Sequence, residues 1–266
     1  MSTSAYVVRD SMTMLRRNLK HAQRYPSMTV SLVAMPILML LLFVYVFGGA
    51  LGHGIGVPGG ANGRGAYVDY VAPGIILMTA TSGAVATAVS VCTDMTEGII
   101  NRFRTMAIAR GSILTGHVVG SVIQTLISLA LVIGVALAVG FRPHATPLRW
   151  IAALGLLTLL AFALTWLAAA MGLAAKTVES ASNAPMPLTF LPFLGSAVVP
   201  PESMPTGLRW FAEYQPFTPI NETLRGLLMD TPISSGSATA SVAWCAGLAL
   251  VGYVWALRIF RRSAKR

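Results

Sequence analysis

Few residues in this chain could do chemistry, and one stretch sets five charged side chains between apolar surroundings. Between two long apolar runs the chain reads Asp94-Met95-Thr96-Glu97-Gly98-Ile99-Ile100-Asn101-Arg102-Phe103-Arg104-Thr105-Met106-Ala107-Ile108-Ala109-Arg110-Gly111. Set in this order they suit ion pairs and hydrogen bonds and form no catalytic constellation. The spacing predicts a short helix over 94–110, with Asp94 capping its first turn and Glu97, three residues on, completing a capping-box-like pair. Gly111 is its stop. Ile99, Phe103 and Met106 recur at helical spacing and give one apolar face, with Arg102 and Arg104 off it. Such a helix suits docking on another protein. The same arginines also suit a plain loop that fixes membrane topology.

Elsewhere the reactive residues are scattered. His21, His53, His117 and His144 stand apart from one another, no His-Glu-x-x-His occurs, and His117 reads as a residue near the head of a helix rather than a ligand. Cys92 and Cys245 sit at or inside apolar runs, which gives neither a disulfide framework nor a metal-ligand cluster. The only lysines are Lys20, Lys176 and Lys265, none after glycine, so the Walker type of phosphate-binding loop is absent and no cofactor is expected in this chain.

The elements that must position the 94–110 stretch are membrane spans. The 266 residues are 55% hydrophobic and 11% charged, with mean hydropathy +0.69. Soluble domains carry about 25% charged residues, so the chain is an all-α integral membrane protein, read as a single transmembrane domain over 1–266. Spans are expected at about 28–47, 67–92, 113–139, 150–175, 183–199 and 242–260. Residues 5–25 form an amphipathic amino-terminal helix, with Val8, Met12, Leu15 and Leu19 on one side and Arg9, Arg16 and Lys20 on the other. It suits the interface with anionic headgroups, although a simple positive flank has the same charge. The second span carries Thr79, Gly83 and Thr87, and Ser82, Ala86 and Ser90, on rows that let helices approach closely. Pro185, Pro187 and Pro192 interrupt the fifth span, which must therefore pack centrally or line a cavity. Residues 205–229, with Leu208, Trp210, Phe211, Phe217, Ile220 and Leu224, are too apolar for a free loop and are read as short re-entrant extracellular helices before the last span. Thr218-Pro219 reads as a cap followed by a first-turn proline.

With six spans and the amino terminus inside, the inner segments hold 14 of the 19 basic residues and four of the nine acidic ones, for a net +10 against zero outside. This bias places both termini in the cytoplasm and accounts for the whole net charge without nucleic acid. The cores of the predicted spans lack Asp, Glu, Lys and Arg, which argues against an ion-coupled transporter; a membrane enzyme lacks a catalytic constellation here.

At this point the sequence resembles a family. Tyr70-Val71-Ala72-Pro73-Gly74-Ile75 leads into the second span, followed by Asp94, Gly98-Ile99-Ile100-Asn101-Arg102-Phe103-Arg104 and Arg110. Later come Phe190-Leu191-Pro192-Phe193, Val199-Pro200, Glu202-Ser203-Met204-Pro205, Pro216-Phe217-Thr218-Pro219 and Leu224-Arg225-Gly226-Leu227. In this order they resemble the membrane subunit of bacterial ABC transporters of the second export type, daunorubicin-resistance branch, over nearly the whole chain. Ala107 stands where that family usually has proline, and Gln215 where it has asparagine.

The resemblance implies a six-span permease of the bacterial inner membrane, working as a dimer with itself or a similar permease. A pair of cytoplasmic ATPase subunits would bind the ATP and Mg. It implies that the helix from Asp94 is a cytoplasmic coupling helix, with Asp94, Glu97, Arg102, Phe103, Arg104 and Met106 engaging the ATPase. Spans without buried charge suit an amphipathic or lipophilic cargo: a drug, or alternatively a lipid, glycolipid or polyketide made by the cell. Met78, Thr79, Ser82, Phe190 and Phe193 are the guessed path, although core packing is the more usual role for every one of them.

Overall fold

The computed structural model describes residues 26–49, 64–96 and 110–263. The expected interfacial helix at 5–25 lies outside the described residues, as do 97–109. Among the described residues all regular structure is helical, and four helices are long and apolar enough to cross a membrane.

The chain first forms α1 (Pro26–Leu41), which carries Pro36 and continues as a π-helical turn over Leu42–Phe47. α2 (Arg64–Thr96) follows, then α3 (Arg110–Val139) and α4 (Pro147–Ala174). Thr146 caps α4 by accepting from Arg149 N, with Pro147 in the first turn, where its missing N–H is no loss. At 33 residues and 1.5 Å rise each, α2 is about 50 Å long, well beyond a hydrocarbon core of about 30 Å. It overruns the predicted span at both ends, because the polar residues that flank the apolar run are still good enough helix formers once they clear the lipid. Asp94, expected in a capping position, lies inside α2, which is helical through Thr96; the residues that follow lie outside the described ones.

α2 and α4 form the centre of the bundle and are mostly buried, whereas α3 and α9 (Ser235–Ser263) bury far less of their surface. Of the two close-packing rows expected on α2, the one through Gly83 is in use, whereas the other runs out to exposed Ser90. Gly83 faces Thr125 of α3, leaving no room for a side chain, and the Thr79 and Thr87 hydroxyls donate to Ile75 O and Gly83 O of their own helix. Gly172 of α4 lies directly on the Ala88 carbonyl of α2, so the two central helices meet backbone to backbone. Across the α4–α9 contact Trp166 meets Tyr253 edge to face, ring centroids 4.9 Å apart.

No continuous helix covers 183–199. α5 (Val178–Asn183), capped by Thr177, and α6 (Met186–Phe190) are followed by a single 3₁₀ turn over Leu191–Leu194. Pro185, Pro187 and Pro192 each remove an N–H and crowd the preceding turn, and Gly195 ends the run extended. A 3₁₀ turn at Pro201–Ser203 leads into α7 (Thr206–Tyr214) and α8 (Phe217–Met229), which occupy the region expected to hold short helices. Thr218 differs from its reading as a cap. Its hydroxyl lies one residue inside α8 and donates to Ala212 O, tying α8 to α7. α8 closes on Asp230 in the left-handed region (φ 57°), which a short polar side chain tolerates.

The two ends of the bundle are fixed by different contacts. At one end Asp69 of α2 accepts from Arg142 N at 3.0 Å, His144 N donates to Leu228 O, and Arg149 pairs with Asp230 at 2.7 Å. At the other end Asp94 meets His117, and the carboxyl ends of α2 and α4 come together around Cys92 and Ala175. α2, α3 and α4 therefore run antiparallel in succession.

Candidate functional site

The end of the bundle that carries 94–110 is built from four helices. The apolar side chains Val91, Leu114, Val118, Trp166, Ala169, Ala170, Leu173, Ala256 and Phe260 form one buried cluster there, joining α2, α3, α4 and α9. At its margin His117 Nε2 lies 2.9 Å from Asp94 Oδ2, with both side chains nearly enclosed (6% and 11% exposed). The contact needs a proton on Nε2, which either the ε tautomer or the imidazolium supplies. His117, read from sequence as a head-of-helix residue, is thus also the partner of Asp94. Glu97, Arg102, Phe103, Arg104 and Met106 lie outside the described residues.

The residues expected along a path separate into two groups. Met78 and Thr79 are buried in the main apolar core, and Ser82 is partly buried, its hydroxyl donating to Met78 O. Phe193 packs against that same core and against Phe43 of the π turn, with ring centroids 6.4 Å apart. Phe190 points away and is 58% exposed. The core therefore gathers Met78 with Phe193 and leaves Phe190 on the outer face.

A polar node at the opposite end was not legible from sequence. The Ser196 carbonyl accepts from Arg225 Nη2 (2.6 Å), Asn221 Nδ2 (2.9 Å) and Tyr70 Oη (3.2 Å). The Arg225 guanidinium lies 3.8 Å from the centre of the Tyr70 ring, and its Nε donates to Tyr70 O at 3.3 Å. Burial pushes the Arg225 pKa down, with Tyr70 and Glu222 acting against it; the guanidinium stays charged. Gly74 makes the node possible, because its missing side chain lets α2 sit on the backbone of Ala197. The node joins α2, the proline-broken segment and α8. Arg225 and Tyr70 do stand inside the sequence blocks singled out above, and that was their only signal.

Four helices of this length and apolarity, two of them central, are those of a multi-pass membrane protein. The chain belongs to the ABC-2 type transporter family, whose model matches residues 10–229. It is 28% identical over 97% of its length to the daunorubicin resistance ABC transporter permease protein DrrB1 of Streptomyces coeruleorubidus, covering 88% of that protein. It is also 21% identical over 73% of its length to the probable doxorubicin resistance ABC transporter permease protein DrrC of Mycobacterium tuberculosis, covering 70% of that one. The family is that of ABC permease subunits, which supports a multi-pass membrane location for this chain.

Proposed function

We propose that this chain is the membrane-spanning permease subunit of an ATP-driven exporter that moves an amphipathic or lipophilic drug out of a bacterial cell. The observation that carries this is the 28% identity to a daunorubicin-resistance permease over 97% of the chain. In this reading two copies, or one copy and a similar permease, join a pair of cytoplasmic ATPase subunits that bind ATP and Mg. Six segments enter the membrane, the broken 183–199 segment among them, and both termini face the cytoplasm. The charge split of +10 against zero supports that orientation. Inverted membrane vesicles containing the chain and its partner ATPase are expected to accumulate daunorubicin only when ATP is present. Accumulation of a labelled lipid instead would select a lipid exporter, and ATP-independent accumulation would defeat the proposal.

The dimer reading has a structural basis in how apolar surface is arranged. On α1 and its π turn, Leu38, Leu42, Tyr45 and Val46 are exposed, and beside them so are Met186, Phe190 and Leu194. The Phe43–Phe193 contact makes these two sets neighbours. Phe190→Cys and Leu194→Cys are expected to crosslink between copies, or to the similar permease, in oxidised membranes. Val251→Cys, exposed on α9, should remain uncrosslinked. Crosslinking through Val251→Cys alone would move the interface to α9.

A further inference from the structure

The Asp94–His117 pair has features that neither helix explains by itself. Asp94 lies in α2 two residues before Thr96, where the described part of the helix stops. It is also 8% exposed overall, so water compensates it poorly. A carboxylate kept in such a place needs partners, and the one at 2.9 Å comes from the next helix, on the far side of the 97–109 connection. In a low-dielectric surrounding such a hydrogen-bonded contact is stronger and more directional than it would be in water.

We propose that Asp94 and His117 form a clasp that makes these ends of α2 and α3 move as one body. They are positioning residues for transport: when the partner ATPase acts on the connection between the two helices, the clasp carries the displacement into the bundle. This rests on the exporter reading above. The apolar cluster supplies the onward route. Val91 of α2 and Leu114 and Val118 of α3 pack in it with Trp166, Ala170 and Leu173 of α4 and Phe260 of α9. Gly172 seated on the Ala88 carbonyl adds a second rigid link from α2 to α4. Two helix ends joined only by a loop could splay under load. Two ends joined by a buried hydrogen bond and a common core transmit it.

The test uses the whole permease with its partner ATPase in inverted vesicles, reading daunorubicin accumulated per ATP hydrolysed. His117→Leu is expected to lower that ratio about tenfold, within the range of ordinary couplings between sites. ATPase co-purification should be retained. His117→Arg, which keeps a donor toward Asp94, should hold most of the ratio, and the exchange Asp94→His with His117→Asp should regain it. An undiminished ratio in His117→Leu overturns the clasp, and so does an equal fall in all three variants. If His117→Leu fails to insert, His117→Glu against His117→Arg replaces it, and equal ratios for those two overturn the clasp. Wild-type vesicles that move no daunorubicin with ATP count against the exporter reading instead, which separates the two failures.

Discussion

Phe103→Ala is expected to release the ATPase from the permease. If the 94–110 stretch docks on that subunit, its apolar face of Ile99, Phe103 and Met106 supplies the buried contact and Arg102 and Arg104 the charged rim. An aromatic anchor at the centre of an interface costs about 2 kcal/mol or more when truncated, and every 1.4 kcal/mol is tenfold, so affinity should fall by at least about 25-fold. Pull-down of the ATPase on tagged permease measures this directly, with daunorubicin accumulation falling in parallel. Arg104→Glu should act the same way by reversing a charge, and a compensating reversal on the ATPase should restore binding. The competing reading makes a different forecast. One arginine among 14 inner basic residues that only set topology can be lost with almost no effect. Unchanged co-purification in both variants would leave the stretch a topological flank. The clasp and this docking face are separable, because Phe103→Ala removes binding while His117→Leu removes only what binding accomplishes.

What the sequence made legible follows from the range of the interactions involved. Uninterrupted apolar runs gave α2, α3, α4 and α9 directly, since lipid admits only helices and closed barrels and runs this long suit helices. The prolines marked 183–199 as interrupted, and its helices stop at Asn183 and Phe190, beside Pro185 and Pro192, while Pro187 sits in the first turn of α6. The ends of the elements were less legible. Asp94 and Glu97 present a capping-box pattern, yet a helix already under way need not stop where its apolar run stops. Thr218 likewise matched a cap signature but was claimed by the Ala212 carbonyl. The pair of Asp94 and His117 could have been found. They lie on the two antiparallel helices that flank the 97–109 connection, two residues before Thr96 and seven after Arg110, and such neighbours bring their facing ends together. The Arg225 node could not, because Arg225 and Tyr70 are 155 residues apart and nothing local connects them.

Arg225→Lys, formally conservative, is expected to destabilise the protein more than any other lysine-for-arginine exchange among the described residues. The guanidinium reaches two carbonyls at once, Ser196 O and Tyr70 O, while lying on the Tyr70 ring. Lysine brings a compact ammonium in place of that planar fork, so it can keep one carbonyl and must give up the other. A hydrogen bond from a charged group contributes about 1.5–3 kcal/mol, and the ring contact roughly 0.5–2 kcal/mol more. Arg225→Lys should therefore cost about 2 kcal/mol, and Arg225→Met, which keeps no donor, about 3 kcal/mol or more. In a chain of this size about 2 kcal/mol lowers Tm by roughly 4–8 °C, which tryptophan fluorescence of the detergent-solubilised protein can read. Arg209→Lys is the control, because that side chain pairs with Glu213 one turn away on an exposed face and should melt unchanged. Asn221 and Tyr70 still hold the Ser196 carbonyl when Arg225 is gone, so the chain should insert and fold. What it loses is the tie between α8 and α2. Because that tie also fixes the backbone on which Gly74 rests, loosening it frees the proline-broken segment from α2. Daunorubicin movement should then fall while ATPase binding at the far end persists. An Arg225→Lys protein with wild-type melting would mean that this arginine serves only as a charge near the membrane surface.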